Sequence, residues 1–429
     1  MNKTYSIVWS TVRNMYIVAS ELARGGCRIK TSSIINKAND LNSKATRNTA
    51  LPGIKTIPTQ VTCAVITALI FASPVALAGT DIYNSLTNYS LGYIDELSHD
   101  MTTDGSPNSL IYSDPLKGAA LYVAGDYEEN TSVMGENLTI TATGGQNGSA
   151  GYAIFVENNA TLQLTNSHIS SSGYSAPIVV QNDGHLSLTD STIDAEMGDG
   201  TMVFADKNSD ISLTNTTVTS VAGHDDVVAQ NGSTLTLNNG SKITLAEGRV
   251  RIVGGSGTTA GATLNLSDST VSSTGTNSTI WGYKETTLNV QNSSITHTNA
   301  EGAAIEASSA TMLDITGDKA SMLINSAGIG VYGIASAVNI DGAMINAEND
   351  GIKMTSVGRS SFYADLTALS VKNATVTSDT AALHVDSNTT IKSPITLTDV
   401  TLTGPTAIML DSKTTVEATD STLNGDVTA

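Results

Sequence analysis

A chain of 429 residues with 21 basic and 40 acidic side chains carries a formal charge of −19, and that charge is unevenly placed. Residues 1–60 hold nine Lys/Arg against two acids, whereas residues 79–429 hold twelve against 38. The long acidic portion argues against nucleic acid or an anionic membrane surface as a partner, because phosphate binding requires clustered Lys and Arg.

In chain order, residues 1–60 are basic and residues 61–78, VTCAVITALIFASPVALA, carry no charge. A basic stretch, an apolar run and the small-x-small ending Ala76-Leu77-Ala78 predict a secretory signal peptide cut between Ala78 and Gly79. Pro74 and the small residues near it leave the run short for spanning ~30 Å of hydrocarbon. Cys27 and Cys63 both lie in this leader, so the 351 residues after it contain no cysteine. The exported chain is therefore expected to hold its fold by burial and backbone pairing instead of disulfides.

The first 25 residues, MNKTYSIVWSTVRNMYIVASELARG, resemble a known leader. Met1-Asn2-Lys3, then Tyr5, Ile7, Trp9 and Arg13, and the closing Val18-Ala19-Ser20-Glu21-Leu22 with Arg24 are similar to the extended signal-peptide region of large Gram-negative autotransporters. The resemblance implies slowed inner-membrane export and delivery by an outer-membrane translocator barrel. Residues 26–60 then form a basic spacer, and 1–78 together make up the leader.

Beyond residue 130 the chain repeats itself. Its core unit is Leu-x-Leu followed by Thr/Ser, Asn/Asp, Ser/Thr and a β-branched residue. It occurs as Leu162-x-Leu164 with Ile169, Leu186-x-Leu188 with Ile193, Ile211-x-Leu213 with Val218, and Leu264-x-Leu266 with Val271. Looser copies start at Leu138, Leu235, Leu288, Leu313, Val338, Leu369, Ile395 and Val416, with a mean spacing of about 25 residues. A second unit falls between copies, as in Ala153-Ile-Phe-Val156, Pro177-Ile-Val-Val180 and Thr201-Met-Val-Phe204.

Apolar alternation of period two between Asn, Asp, Gly and Ser clusters reads as short strands joined by turns. Three strands per repeat predict an all-β, right-handed parallel β-helix, a pectin-lyase-like solenoid of about 12 coils stacked at ~4.8 Å over roughly 55 Å. Leu162, Leu164, Ile169, Leu186, Leu188, Ile193, Leu264, Leu266 and Val271 are the expected coil core. Asn166, Asn215 and Asn292 are expected in left-handed turns bonded to the next coil. Residues 79–130 are read as an N-terminal cap with a first coil, and 131–429 as the solenoid. Longer intervals predict loops near Arg249 to Gly261 and Gly351 to Asp365, where binding in a solenoid usually sits. No series of membrane-barrel strands follows Val416, so a truncated product, a fragment, or a passenger served by a barrel in trans are the readings at this point.

Catalytic chemistry has thin support in the residues. The acids are dispersed, only Arg249, Arg251 and Arg359 follow the leader, and there is no Gly-Asp-Ser-Gly nucleophile run. His224-Asp225-Asp226 is the candidate acid–base or metal cluster, set against a solvated turn. Gly254-Gly255-Ser256-Gly257 reads as a flexible loop. No cofactor or bound metal is expected. The architecture resembles passengers of the AIDA-type autotransporter adhesins, which implies a cell-surface, non-catalytic role in adhesion or self-association, with glycans, proteins or further copies as partners. The alternatives are a polysaccharide lyase or glycosidase, and a non-functional remnant that stays periplasmic.

Overall fold

The computed structural model describes residues 5–10, 15–20, 109–112, 118–124, 132–144, 151–173, 176–197, 199–220, 224–255, 261–356, 367–387, 389–391 and 393–429. The predicted cleavage site, the apolar run at 61–78 and most of the predicted cap lie outside these residues, as do the centres of both predicted loops. The chain divides into two compact units, 1–75 and 76–429. In the first, Tyr5–Ser10 and Met15–Ser20 pair as an antiparallel hairpin. The second is a parallel β-solenoid, and among the described residues it contains no helix.

Each coil runs through three faces. Thr161–Thr165, His168–Gly173 and Ala176–Gln181 form one such set. First-face strands pair in parallel from Ser132–Glu136 to Val416–Thr419 as a twelve-stranded sheet, and the other two faces are joined in a 24-stranded sheet. Pairing is residue for residue: Leu162 sits against Leu186, Leu186 against Ile211, Ile211 against Leu235 and Leu235 against Leu264. The inward positions alternate with outward Thr, Ser, Gln and Asn, as the pleat requires. Leu162, Leu164, Ile169, Leu186, Leu188, Ile193, Leu264, Leu266 and Val271 are all at most 2% exposed and belong to one continuous core.

The coil count departs slightly from the predicted twelve. Ten coils have three separate strands, the first containing Ser132–Glu136, Thr139–Gly144 and Gly151–Glu157. In the last two, the second and third faces run together as Thr401–Leu410 and Thr422–Thr428, with register shifts at Thr403/Thr406 and Thr406/Ile408 in place of a separate turn.

The repeat copy assigned to Leu138 is also displaced. The strand in register with Leu162 is Ser132–Glu136, through Val133, and Gly135 lies opposite Leu164. That coil has no Leu-x-Leu on its first face, so the next apolar group in sequence mimics one. Leu138 instead occupies the turn, where its N–H donates to Ser167 Oγ and its carbonyl accepts from the His168 N–H.

Two columns of turns carry the left-handed conformations. After the first face, Asn166, Asp190, Asn215, Asp268 and Asn292 all have φ between 44° and 52°. Asn166 Nδ2 donates to Asn137 Oδ1 at 2.5 Å and Asn215 Nδ2 to Asp190 Oδ1 at 2.6 Å, linking successive coils. After the third face, pairs such as Asn182 and Asp183, Lys284 and Glu285, and Ser309 and Ala310 turn left-handed together. Beside the first column runs a ladder of buried hydroxyls. Each accepts the N–H of its counterpart one coil earlier: Ser167 N–H to Ser191 Oγ, Ser191 N–H to Thr216 Oγ1 and Thr216 N–H to Ser241 Oγ. These groups are 0–3% exposed, so the ladder satisfies turn amides that water does not reach.

Candidate functional site

The third face differs from the other two in what it turns outward. Its strands alternate so that every second side chain leaves the core, as in Ile280–Tyr283, where Ile280 and Gly282 are buried and Trp281 and Tyr283 are half-buried. Coil pairing then aligns one outward position along the rod. Tyr122, Phe155, Val179, Phe204 and Val228 come first, with Val179 and Val228 themselves buried. Arg251, Trp281, Glu306, Tyr332, Lys353, His384 and Met409 continue the column. The interior is filled by aliphatics, and among the described residues the rings of Tyr122, Phe155, Phe204, Trp281 and Tyr332 stand on this outer line.

Two clusters stand on the column. In the first, Asp226 Oδ2 lies 3.4 Å from an Arg251 guanidinium nitrogen and 3.9 Å from Arg249 Nε, and Asp226 Oδ1 accepts the Arg249 N–H at 3.1 Å. The Arg249 guanidinium carbon sits 4.3 Å from the centre of the Trp281 ring, within cation–π range. Trp281 stacks on Tyr283 with ring centres 5.1 Å apart, and its indole N–H donates to Ser308 Oγ at 3.1 Å. The result is a flat aromatic platform edged by two cations.

The second cluster lies toward the C-terminus. His384 Nδ1 is 2.8 Å from Asp350 Oδ2, and His384 Nε2 is 3.2 Å from Asp411 Oδ2. Lys353 Nζ is 3.8 Å from Asp350 and 4.0 Å from Asp386. Thr380 also donates its hydroxyl to Asp350. Burial works against the Asp350 charge, but hydrogen bonding and charge from His384, with Thr380 and Lys353, hold its carboxyl below the usual carboxylate range. The bond to Asp350 raises His384 above the ordinary imidazole value, against desolvation. Tyr332, desolvated and facing Glu306, Asp386 and Asp350, is pushed up to about 12.

Of the sequence-predicted cluster His224-Asp225-Asp226, only the Asp226 side chain is among the described ones. Asp226 is on a strand, with its side chain 15% exposed and paired to both arginines, and not in a solvated turn. Its partners lie one coil away, where a search along the chain does not look. The backbones of His224 and Asp225 pair with Asp199 and Gly200, and their side chains are outside the described ones.

A buried histidine on the second face supplies a pH test. His297 is 1% exposed; its Nδ1 is 3.0 Å from Thr279 Oγ1 and its Nε2 reaches the Glu301 carbonyl at 2.5 Å. Desolvation lowers its pKa, partly offset by that carbonyl. A depressed value means stability that is complete above about 6.5, the unfolded value, and is lost as pH falls toward the folded one. Between pH 8 and pH 5 the urea midpoint should fall further in the parent chain than in His297→Gln. Parallel curves would show that His297 does not couple protonation to folding.

No curated protein and no solved structure matches the chain. Residues 1–46 match the family described as Extended Signal Peptide of Type V secretion system, which supports export through the inner membrane by that route, and the parallel β-solenoid that follows is consistent with an autotransporter passenger.

Proposed function

We propose that the solenoid acts at the cell surface as a non-catalytic adhesion or self-association module, delivered by an outer-membrane translocator barrel. The observation that carries this reading is the outward column of the third face, where Arg249, Arg251, Trp281 and Tyr283 form a platform on an otherwise acidic rod. Aromatic and Arg side chains dominate the energetics of protein contacts, and flat rings also suit sugar faces, so surface proteins, glycans or a second copy fit this face. Rows repeated at ~4.8 Å turn weak contacts into multivalent ones. Whole cells expressing a chain tagged after Gly79 should label with antibody and clump. Trp281→Ala with Tyr332→Ala should label equally but clump less, through a loss of about 2 kcal/mol, or roughly 30-fold, per contact. Unlabelled cells, or clumping that survives the double substitution, would overturn the proposal.

A second reading, polysaccharide processing, is favoured by one observation. Asp350, Asp386 and Asp411 arrive from successive coils around His384 and Lys353, a convergence of carboxylates that sugar hydrolysis or elimination uses. Release of reducing ends from acidic or neutral polysaccharides, lost in Asp350→Asn, would support it over adhesion.

A further inference from the structure

The geometry points to a binding site for a divalent transition metal of the zinc class at His384, Asp386 and Asp411. The ligand atoms of these three side chains all lie within 4.8 Å of one another. His384 Nε2 and Asp411 Oδ2, at 3.2 Å, are already at the separation of two ligands in a tetrahedral shell, about 3.3 Å for bonds of about 2.0–2.1 Å. Asp386 and Asp411 follow the same strand position in adjacent coils, Val385 pairing with Leu410 just before them. Two carboxylates stacked in this way repel, and a cation between them removes the penalty. Their side chains are 36% and 40% exposed, so they are free to close on an ion.

The strongest indication is the other nitrogen of the imidazole. Asp350, with its side chain only 14% exposed, accepts from His384 Nδ1 at 2.8 Å, leaving Nε2 directed at Asp411. A carboxylate that fixes the ring and its tautomer is the usual outer partner of a metal-bound histidine. One imidazole nitrogen with two carboxylate oxygens suits zinc, nickel or cobalt better than calcium, which prefers six to eight oxygens. Water completes the shell, and Lys353, 4.0 Å from Asp386, swings outward when the ion enters. The ion would tie two adjacent coils together. The site rests on neither reading of function given above.

The test is calorimetric titration of the whole exported chain with zinc chloride after chelator treatment. We expect one zinc per chain and a raised thermal midpoint. His384→Ala should abolish binding. Asp350→Asn, which changes the orienting partner and none of the three ligands, should weaken it about 10–100-fold. His185→Ala, whose ring pairs with Asp210 at an exposed position, should bind as the parent does. If His384→Ala fails to fold by circular dichroism, Asp411→Asn at the exposed ligand takes its place. Absence of binding, zinc affinity in His384→Ala and in Asp411→Asn equal to the parent's, or calcium binding as tightly as zinc would each overturn the proposal.

Discussion

Leu213→Asp should prevent the solenoid from closing around that position, with a stability loss larger than the about 2–5 kcal/mol of a core Leu→Ala change. Leu213 is 0% exposed and lies in register between Leu188 and Leu237 in the inward column. A carboxylate there meets aliphatic carbon on all sides and loses its water without gaining a partner. Because a solenoid is held by contacts between neighbouring repeats, the damage should be local. Limited proteolysis should cut near residues 186–240 and leave the coils beyond Leu264 protected, while urea unfolding by circular dichroism should lose its single transition. Ser212→Asp, one residue away and facing outward, should shift stability by no more than about 0.5 kcal/mol. If the two variants behaved alike, the inward assignment of Leu213 would be wrong.

What was legible in the sequence follows from what repeats. Leu186 and Leu188 declare an inward face because the pleat has a period of two, and Asn215 declares a turn because few other residues adopt its φ of 47°. The repeat itself was visible because the same arrangement recurs at about 25 residues. Where a coil lacks those markers the pattern misleads, as at Leu138, which gains its apparent place because Gly135 stands where a Leu would be. Lys284, Glu285, Ser309 and Ala310 gave no sign of left-handed turns, since their side chains have no preference for them.

The candidate site was harder to read, because its contacts run across coils. Asp226 meets Arg249 and Arg251 23 and 25 residues later, close to the repeat length, so acids that look scattered in a line are neighbours in space. That spacing was a usable signal for the first cluster. His384 reaches Asp350 at a separation of 34, because the long interval before Leu369 breaks the period, and Asp411 at 27. Phe155 lies in a segment that reads as a strand of the repeat, and the segments of Trp281 and Tyr332 carry no repeat marker; only coil register shows that each ring points away from the interior.

Asp226→Ala should cost about 2–3 kcal/mol and loosen the aromatic platform with it. The carboxylate, 15% exposed, faces two guanidiniums whose side chains are 21% and 32% exposed, and it also accepts the Arg249 N–H. Removing it leaves two like charges side by side with reduced access to water, the situation in which losing one partner exceeds the worth of the pair. The loss stays below the about 3–5 kcal/mol of a fully buried pair because both arginines keep some contact with solvent. Arg249 would no longer be held 4.3 Å from the Trp281 ring. Trp281 is the one tryptophan outside the leader, so the emission of the exported chain reports this contact directly. A red shift in Asp226→Ala together with a lower urea midpoint is the expected result. The double variant Asp226→Ala/Arg251→Leu should recover part of the midpoint, because one of the two adjacent cations has gone. Unchanged emission in the single variant, with a loss under about 0.5 kcal/mol, would mean that contacts other than Asp226 place Arg249. In that case the platform would tolerate loss of the acid, and adhesion in Asp226→Ala cells should match the parent.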